Sequence, residues 1–149
     1  AVDGGAIGFG ADLALAADLT IVGDEGWLRQ GWTPVGLIPA TGGTHYVARR
    51  AGRAGVIRFL ASDRLTGADC VRMGLAESAP DALAEAIATA QSLARLPRTP
   101  MLTVNRLSRI DDLDRHLEAA LDAQVGFITG ADFMTRAEGI LAQLKGKSK

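Results

Sequence analysis

The chain has one cysteine, Cys70, and two histidines, His45 and His116. A lone cysteine excludes an internal disulfide and fits a reducing cytosol, so a cytoplasmic location is expected. Neither histidine has a cysteine, a second histidine or a carboxylate at metal-ligand spacing, so no metal site is expected and both read as surface residues. Aromatics make up 5% of the residues against 48% for all apolar types. The expected core is therefore built from Ala, Leu, Val and Ile. Charge of either sign is not in excess: the net charge is −1 and the pI about 6.1. Nothing there supports nucleic-acid binding. A long uncharged apolar run is also missing. The most apolar stretch, residues 1–23, contains Asp3, Asp12 and Asp18. Each Asp near a membrane midplane costs about 2.5–3.5 kcal/mol, so this stretch is not read as a membrane span. It also lacks the basic start of a signal peptide. The first residue is Ala rather than Met, and the chain opens directly on a motif, so it reads as a piece of a longer or split protein.

That motif is AVDGGAIGFGADLALAADLTIVG. Gly4, Gly5, Gly8 and Gly10 precede a small-residue helix over about residues 10–17, and a β-branched strand follows over residues 19–22. Glycines before a helix let backbone approach a ligand, and the first N–H groups of the helix point into the space that is left. The layout suits a phosphate cradle, an oxyanion hole, or close packing of helix on sheet. Leu13 stands where the dinucleotide pattern needs a third glycine, and no Gly-Lys-Ser/Thr follows, so neither nucleotide motif is complete.

Further on, Trp27 to Arg29 reads as a short strand and residues 31–44 as loop, with two prolines and four glycines. Helices are expected over residues 44–51 and 53–61, separated by Gly52. Thr66 reads as the N-cap of a short helix ending at Gly74, and residues 75–79 as a last strand. From Asp81 the pattern is helical throughout. Leu83, Ile87, Ala90 and Ala94 share one face. Leu113, Leu117, Leu121, Val125 and Ile128 form a stripe, as do Phe133, Ala137, Ile140 and Leu144. Pro97, Pro100 and Gly130 separate these units, and residues 145–149 read as a charged tail.

Three stretches, AVDGGAIGFGADLALAADL, GLIPATGGTHYVARRAG and LTGADCVRMGLA, resemble in order and spacing the crotonase superfamily of enoyl-CoA hydratases and isomerases. What the chain resembles is the C-terminal part of such a domain. The resemblance implies an α/β fold: the second half of a β-β-α spiral over residues 1–80, then a C-terminal helical oligomerisation region over residues 81–149. It implies homotrimers, often paired into hexamers, and a missing N-terminal half. It implies an acyl-CoA substrate, with no cofactor beyond the coenzyme A that the substrate carries. The middle of the family's Gly-Gly-Gly run is Phe9, whose backbone N–H is thereby implied as one of two oxyanion donors; the other reading of Phe9 is plain core packing. The first catalytic glutamate of hydratases falls at Asp12, a shorter carboxylate able to act as acid or base through a water. Alternatively Asp12 serves only the dipole of its helix. The second glutamate falls at Trp32, whose indole offers an N–H donor and no carboxylate. Trp32 resembles the tryptophan that lines the acyl pocket of 4-chlorobenzoyl-CoA dehalogenases, but the nucleophilic Asp of that branch is Ala40 here; plain core is the other reading of Trp32. Gly8, Gly10, Trp32 and Gly36 are the implied substrate contacts. Arg49, Arg50 and Arg53, with Lys145, Lys147 and Lys149, either meet coenzyme A phosphates or form solvated faces. Two function classes stay open: an enolate-stabilising enzyme of this superfamily with altered acid/base residues, and a non-catalytic acyl-CoA-binding or assembly protein that kept the fold.

Overall fold

The computed structural model describes residues 1–96, 98, 101, 102, 105 and 113–146. Pro97, Pro100, Lys147 and Lys149 lie outside the described residues, as do the side chains of His116 and Leu144.

Gly5 allows the first strand to form where it does. A Cβ built on Gly5 would lie 2.5 Å from the Trp27 ring. With that space left empty, β1 (Gly5–Ile7) lies beside β3 (Trp27–Arg29) in parallel register, Ala6 opposite Leu28. β3 pairs antiparallel with β4 (Leu65–Thr66), giving the order β1-β3-β4. A second, smaller sheet joins β2 (Ile21–Val22) in parallel to β5 (Glu77–Ser78), and Val2 bridges to Val22 at its edge. The strand expected over residues 19–22 is shorter because Thr20 is used otherwise. Its hydroxyl donates to Ala14 O at 2.7 Å, closing the end of the preceding helix and leaving Leu19 exposed.

That helix, α1 (Phe9–Ala16), packs against α2 (Gly43–Ala61). α2 breaks where the sequence predicts: Gly52 has φ 66° and ψ −176°. The short α3 (Gly67–Arg72) starts at a capping box. The Thr66 hydroxyl accepts from the Asp69 N–H, and the Asp69 carboxylate accepts from the Thr66 N–H at 2.9 Å. The core lies between these layers and centres on Leu15, Val22, Leu28, Val47, Phe59 and Leu75. It is aliphatic apart from Phe59 and Cys70, as the composition suggests.

The helical part includes α4 (Ala82–Leu93), α5 (Leu113–Ile128) and α6 (Ala131–Gly146). Two aspartates hold the start of α4: Asp81 accepts from the Ala84 N–H at 2.8 Å, and Asp3 from the Ala82 N–H at 3.0 Å. Much of the expected apolar stripe stays open, with Leu121 56% and Val125 64% exposed. Among the described residues, no helix is long and apolar enough to cross a membrane.

Candidate functional site

The N-terminus of α1 is built by a turn that needs glycine. The Gly8 N–H donates to Arg29 O at 3.0 Å, ending the β1–β3 ladder. Gly8 then takes φ 54° and ψ −114°, on the side of the map that L residues avoid, and the helix begins at Phe9. The Gly8 carbonyl accepts from the Asp12 N–H at 3.0 Å, closing the first turn. The Phe9 N–H belongs to the set that a helix leaves unpaired, and it finds no acceptor among the described residues. The Phe9 side chain is 55% exposed, which corrects the reading of Phe9 as core. Gly10 lies within the same first turn.

Trp32 comes to this turn. A Cβ on Gly8 would be 3.3 Å from both Cε2 and Nε1 of the indole, so the ring lies directly on the Gly8 backbone. The residue is half-buried rather than plain core, and its Nε1–H is enclosed with no acceptor among the described groups. Gly36 ends the 3-10 turn Thr33–Val35 with φ 80°, and its N–H donates to Thr33 O at 3.0 Å. The structure thus gives Gly36 a turn-forming place in the loop that carries Trp32. Ala40 is buried.

Asp12 is 1% exposed. Its Oδ1 accepts from Gln30 Nε2 at 3.1 Å and its Oδ2 from the Thr41 hydroxyl at 2.5 Å; the Gly43 N–H is a third donor. Burial pushes this carboxyl above its ordinary value of 3.8, against those three donors, which favour the charged form. Its partners come from outside α1, so its surroundings are not those of a carboxylate that merely serves its own helix. Sequence reasoning missed Gln30 and Thr41 as its partners. One signal was present: in a strand, Leu28 and Gln30 share a face, so a polar side chain two residues past a core leucine points inward. Gln30 is 1% exposed.

The arginines divide. Arg50 is half-buried, and its guanidinium is used within the protein. Its guanidinium donates to Ala17 O at 2.5 Å, Leu75 O at 2.9 Å and the Thr20 hydroxyl at 3.1 Å, fastening the end of α1 to the segment before β5. Arg49 and Arg53 are exposed. His45 is half-buried, its ring set edge-on to Tyr46 with centroids 5.8 Å apart. Cys70 is buried, and its thiol is pushed up to about 11 by burial, with the Asp69 charge adding to the shift. Such a thiol is packing rather than nucleophile.

A cavity of about 460 Å³ opens along β1 and α1 and is walled by Gly5, Ala6, Gly10 and Leu13. Of the expected substrate contacts, Gly10 lines it. Ile7, Phe9, Leu13 and Leu19 leave an apolar, exposed surface on this part of the chain. Among the described residues, no group of three or more His, Cys, Asp and Glu is placed to hold a metal ion.

The enoyl-CoA hydratase/isomerase family profile matches residues 1–143. The chain belongs to the enoyl-CoA hydratase/isomerase family. A probable enoyl-CoA hydratase of Rhodobacter capsulatus is 36% identical over 97% of the chain and 58% of its own length. Among solved structures, an enoyl-CoA hydratase/isomerase from Mycobacterium paratuberculosis superimposes with a TM-score of 0.82 at 27% identity, over 91% of this chain and 57% of that one. A carnitinyl-CoA hydratase from Mycobacterium avium shares the fold at a TM-score of 0.86 and 22% identity, over 95% of this chain and 58% of that one. The chain therefore spans a little over half the length of these family members. Its α/β crotonase-like architecture is the one they share.

Proposed function

We propose that the complete protein binds an acyl-CoA thioester at the N-terminal end of α1 and stabilises the thioester enolate with backbone N–H groups, the Phe9 N–H among them. The observation that carries this reading is the place of Phe9. In a chain of this family, at the middle of the Gly-x-Gly run, its N–H has no acceptor among the described residues while its side chain points outward. A donor already fixed where negative charge develops does not have to be reorganised during the reaction. The present chain supplies the C-terminal part of the domain, and the missing half supplies the second donor. Gly8 and Gly10 keep the approach clear, Trp32 forms a wall of the acyl pocket, and Gly36 shapes the loop that carries that wall. The open apolar stripe of α5 supports self-association, into a trimer or hexamer.

Ordinary hydration is not the expected outcome, because Trp32 stands where a second carboxylate is needed. Asp12 is the acid/base candidate of the family pattern, and its oxygens reach a substrate only if the bonds to Thr41, Gln30 and Gly43 open. That closure favours a second reading, a non-catalytic acyl-CoA-binding or assembly protein.

Crotonyl-CoA binding and turnover by the complete protein separate these readings. Phe9→Pro deletes the N–H at the one helical position where proline is welcome, and Phe9→Ala retains it. The proline variant is expected to lose about 10²–10³ in rate, and the alanine variant to keep it. Binding without turnover selects the second reading; absence of saturable binding removes both.

A further inference from the structure

We infer that Asp12 is a positioning residue: its carboxylate clamps both ends of the Gln30–Thr41 segment to α1 and thereby sets where the Trp32 indole stands. The segment has little regular structure of its own. It leaves β3 at Gln30, makes the single 3-10 turn Thr33–Val35 and reaches α2 through Gly42. Two bonds converge on the Trp32 carbonyl, from the Val35 and Leu37 N–H groups at 3.1 and 3.0 Å. These fix the turn internally; the middle of the segment also meets the helical region, where the Ile38 N–H donates to Gln124 Oε1 at 3.3 Å and the turn packs against α6.

The ends are held to α1. Gln30 donates to one oxygen of Asp12 and Thr41 to the other. The amide oxygen of the same Gln30 accepts from the Trp32 N–H at 3.4 Å. A continuous path thus runs from the carboxylate through the Gln30 amide to the Trp32 backbone. The third donor, the Gly43 N–H, ties in the start of α2. A carboxylate suits this point because it only accepts and has two oxygens to share among three donors. The clamp also explains why Asp12 is so thoroughly enclosed: its oxygens are occupied by the structure that places Trp32.

The consequence for ligand binding rests on the reading of Trp32 as a wall of the acyl pocket; the clamp itself does not. The test therefore reads Trp32 directly. The full protein is labelled with 5-fluorotryptophan, and the Trp32 resonance is assigned in the ¹⁹F spectrum by its loss in Trp32→Phe. Asp12→Ala and Thr41→Val are expected to shift or broaden the Trp32 resonance and leave that of Trp27 in place. Asp12→Asn is expected to keep the wild-type position, because its amide oxygen still accepts from Gln30 and its amide nitrogen can donate to the Thr41 oxygen. In parallel, Asp12→Ala is expected to weaken crotonyl-CoA binding several-fold. A folded Asp12→Ala protein with an unmoved Trp32 resonance overturns the inference. If Asp12→Ala does not fold, an unmoved resonance in Thr41→Val and Gln30→Met does the same. Loss of turnover in Asp12→Asn with the Trp32 resonance in place shows acid/base catalysis by Asp12 and overturns it too. If the wild-type protein binds no crotonyl-CoA, the functional reading fails while the resonance still decides the clamp.

Discussion

Gly43 stands so close to Asp12 that a Cβ built on it would lie 2.0 Å from Oδ1. No carboxylate oxygen shares that space with a methyl group, so the start of α2 has to be side-chain-free for the Asp12 cluster to close. Gly43→Ala is expected to cost about 1–3 kcal/mol, the range for overpacking a closed interior. Urea unfolding of the variant beside wild type checks this; equal midpoints would show that α2 slides aside freely.

The raised pKa of Asp12 has a definite sign. The folded protein holds this proton to a higher pH than the unfolded chain, whose ordinary value is 3.8. Its contribution to stability is therefore full below 3.8 and is lost as the pH rises through the folded-state value. Asp12→Asn has no proton to lose. Its stability relative to wild type is expected to improve as the pH goes from below 3.8 towards neutrality. Chemical denaturation across that range measures the difference, and a change in the opposite direction would show that the three donors outweigh burial.

Arg50 holds together segments that are distant in sequence. Arg50→Met keeps much of the side-chain volume and leaves the carbonyls of Ala17 and Leu75 without their donor. A loss of about 1 kcal/mol is expected, mostly from the partly buried Leu75 carbonyl, since the exposed Ala17 carbonyl turns to water. Arg50→Lys is expected to recover only part of it, since an ammonium cannot reproduce the planar fork. A thermal unfolding series compares the variants.

The stripe on α5 is expected to be covered by another copy in the complete protein. Leu121 and Val125 are more than half exposed, and apolar surface of this kind marks an interface. Light scattering at micromolar concentration should show a trimer or hexamer. Leu121→Glu with Val125→Glu should shift that towards smaller species without lowering the helix content seen by circular dichroism. A wild-type monomer would contradict the expectation.

Local signals in the chain announce themselves and long-range ones do not. Gly52 as a break, Thr66 as a cap and the small-residue helix after Gly8 are each decided within a few residues, and each is legible. β1 is not, because Gly5-Ala6-Ile7 carries little strand propensity; the strand follows from Trp27 crossing over Gly5, a contact between residues far apart in the chain. The same holds at the candidate site. The glycines point to the turn at Gly8 and the family resemblance brings Trp32 to it, whereas the partners of Asp12 come from the residue after β3, a loop and α2. Arg50 looked like surface charge because the carbonyls it serves have no side-chain signature.

Gly52 makes α2 behave mechanically as two short levers rather than one rod. The first lever carries Gly43 against Asp12 and Arg50 against the end of α1; the second carries Val56 and Phe59 into the core. A helix with an unbroken bond pattern would pass a twist at one end along to the other. With a non-helical residue between them, the end that meets the candidate site can adjust its angle while Phe59 keeps its seat.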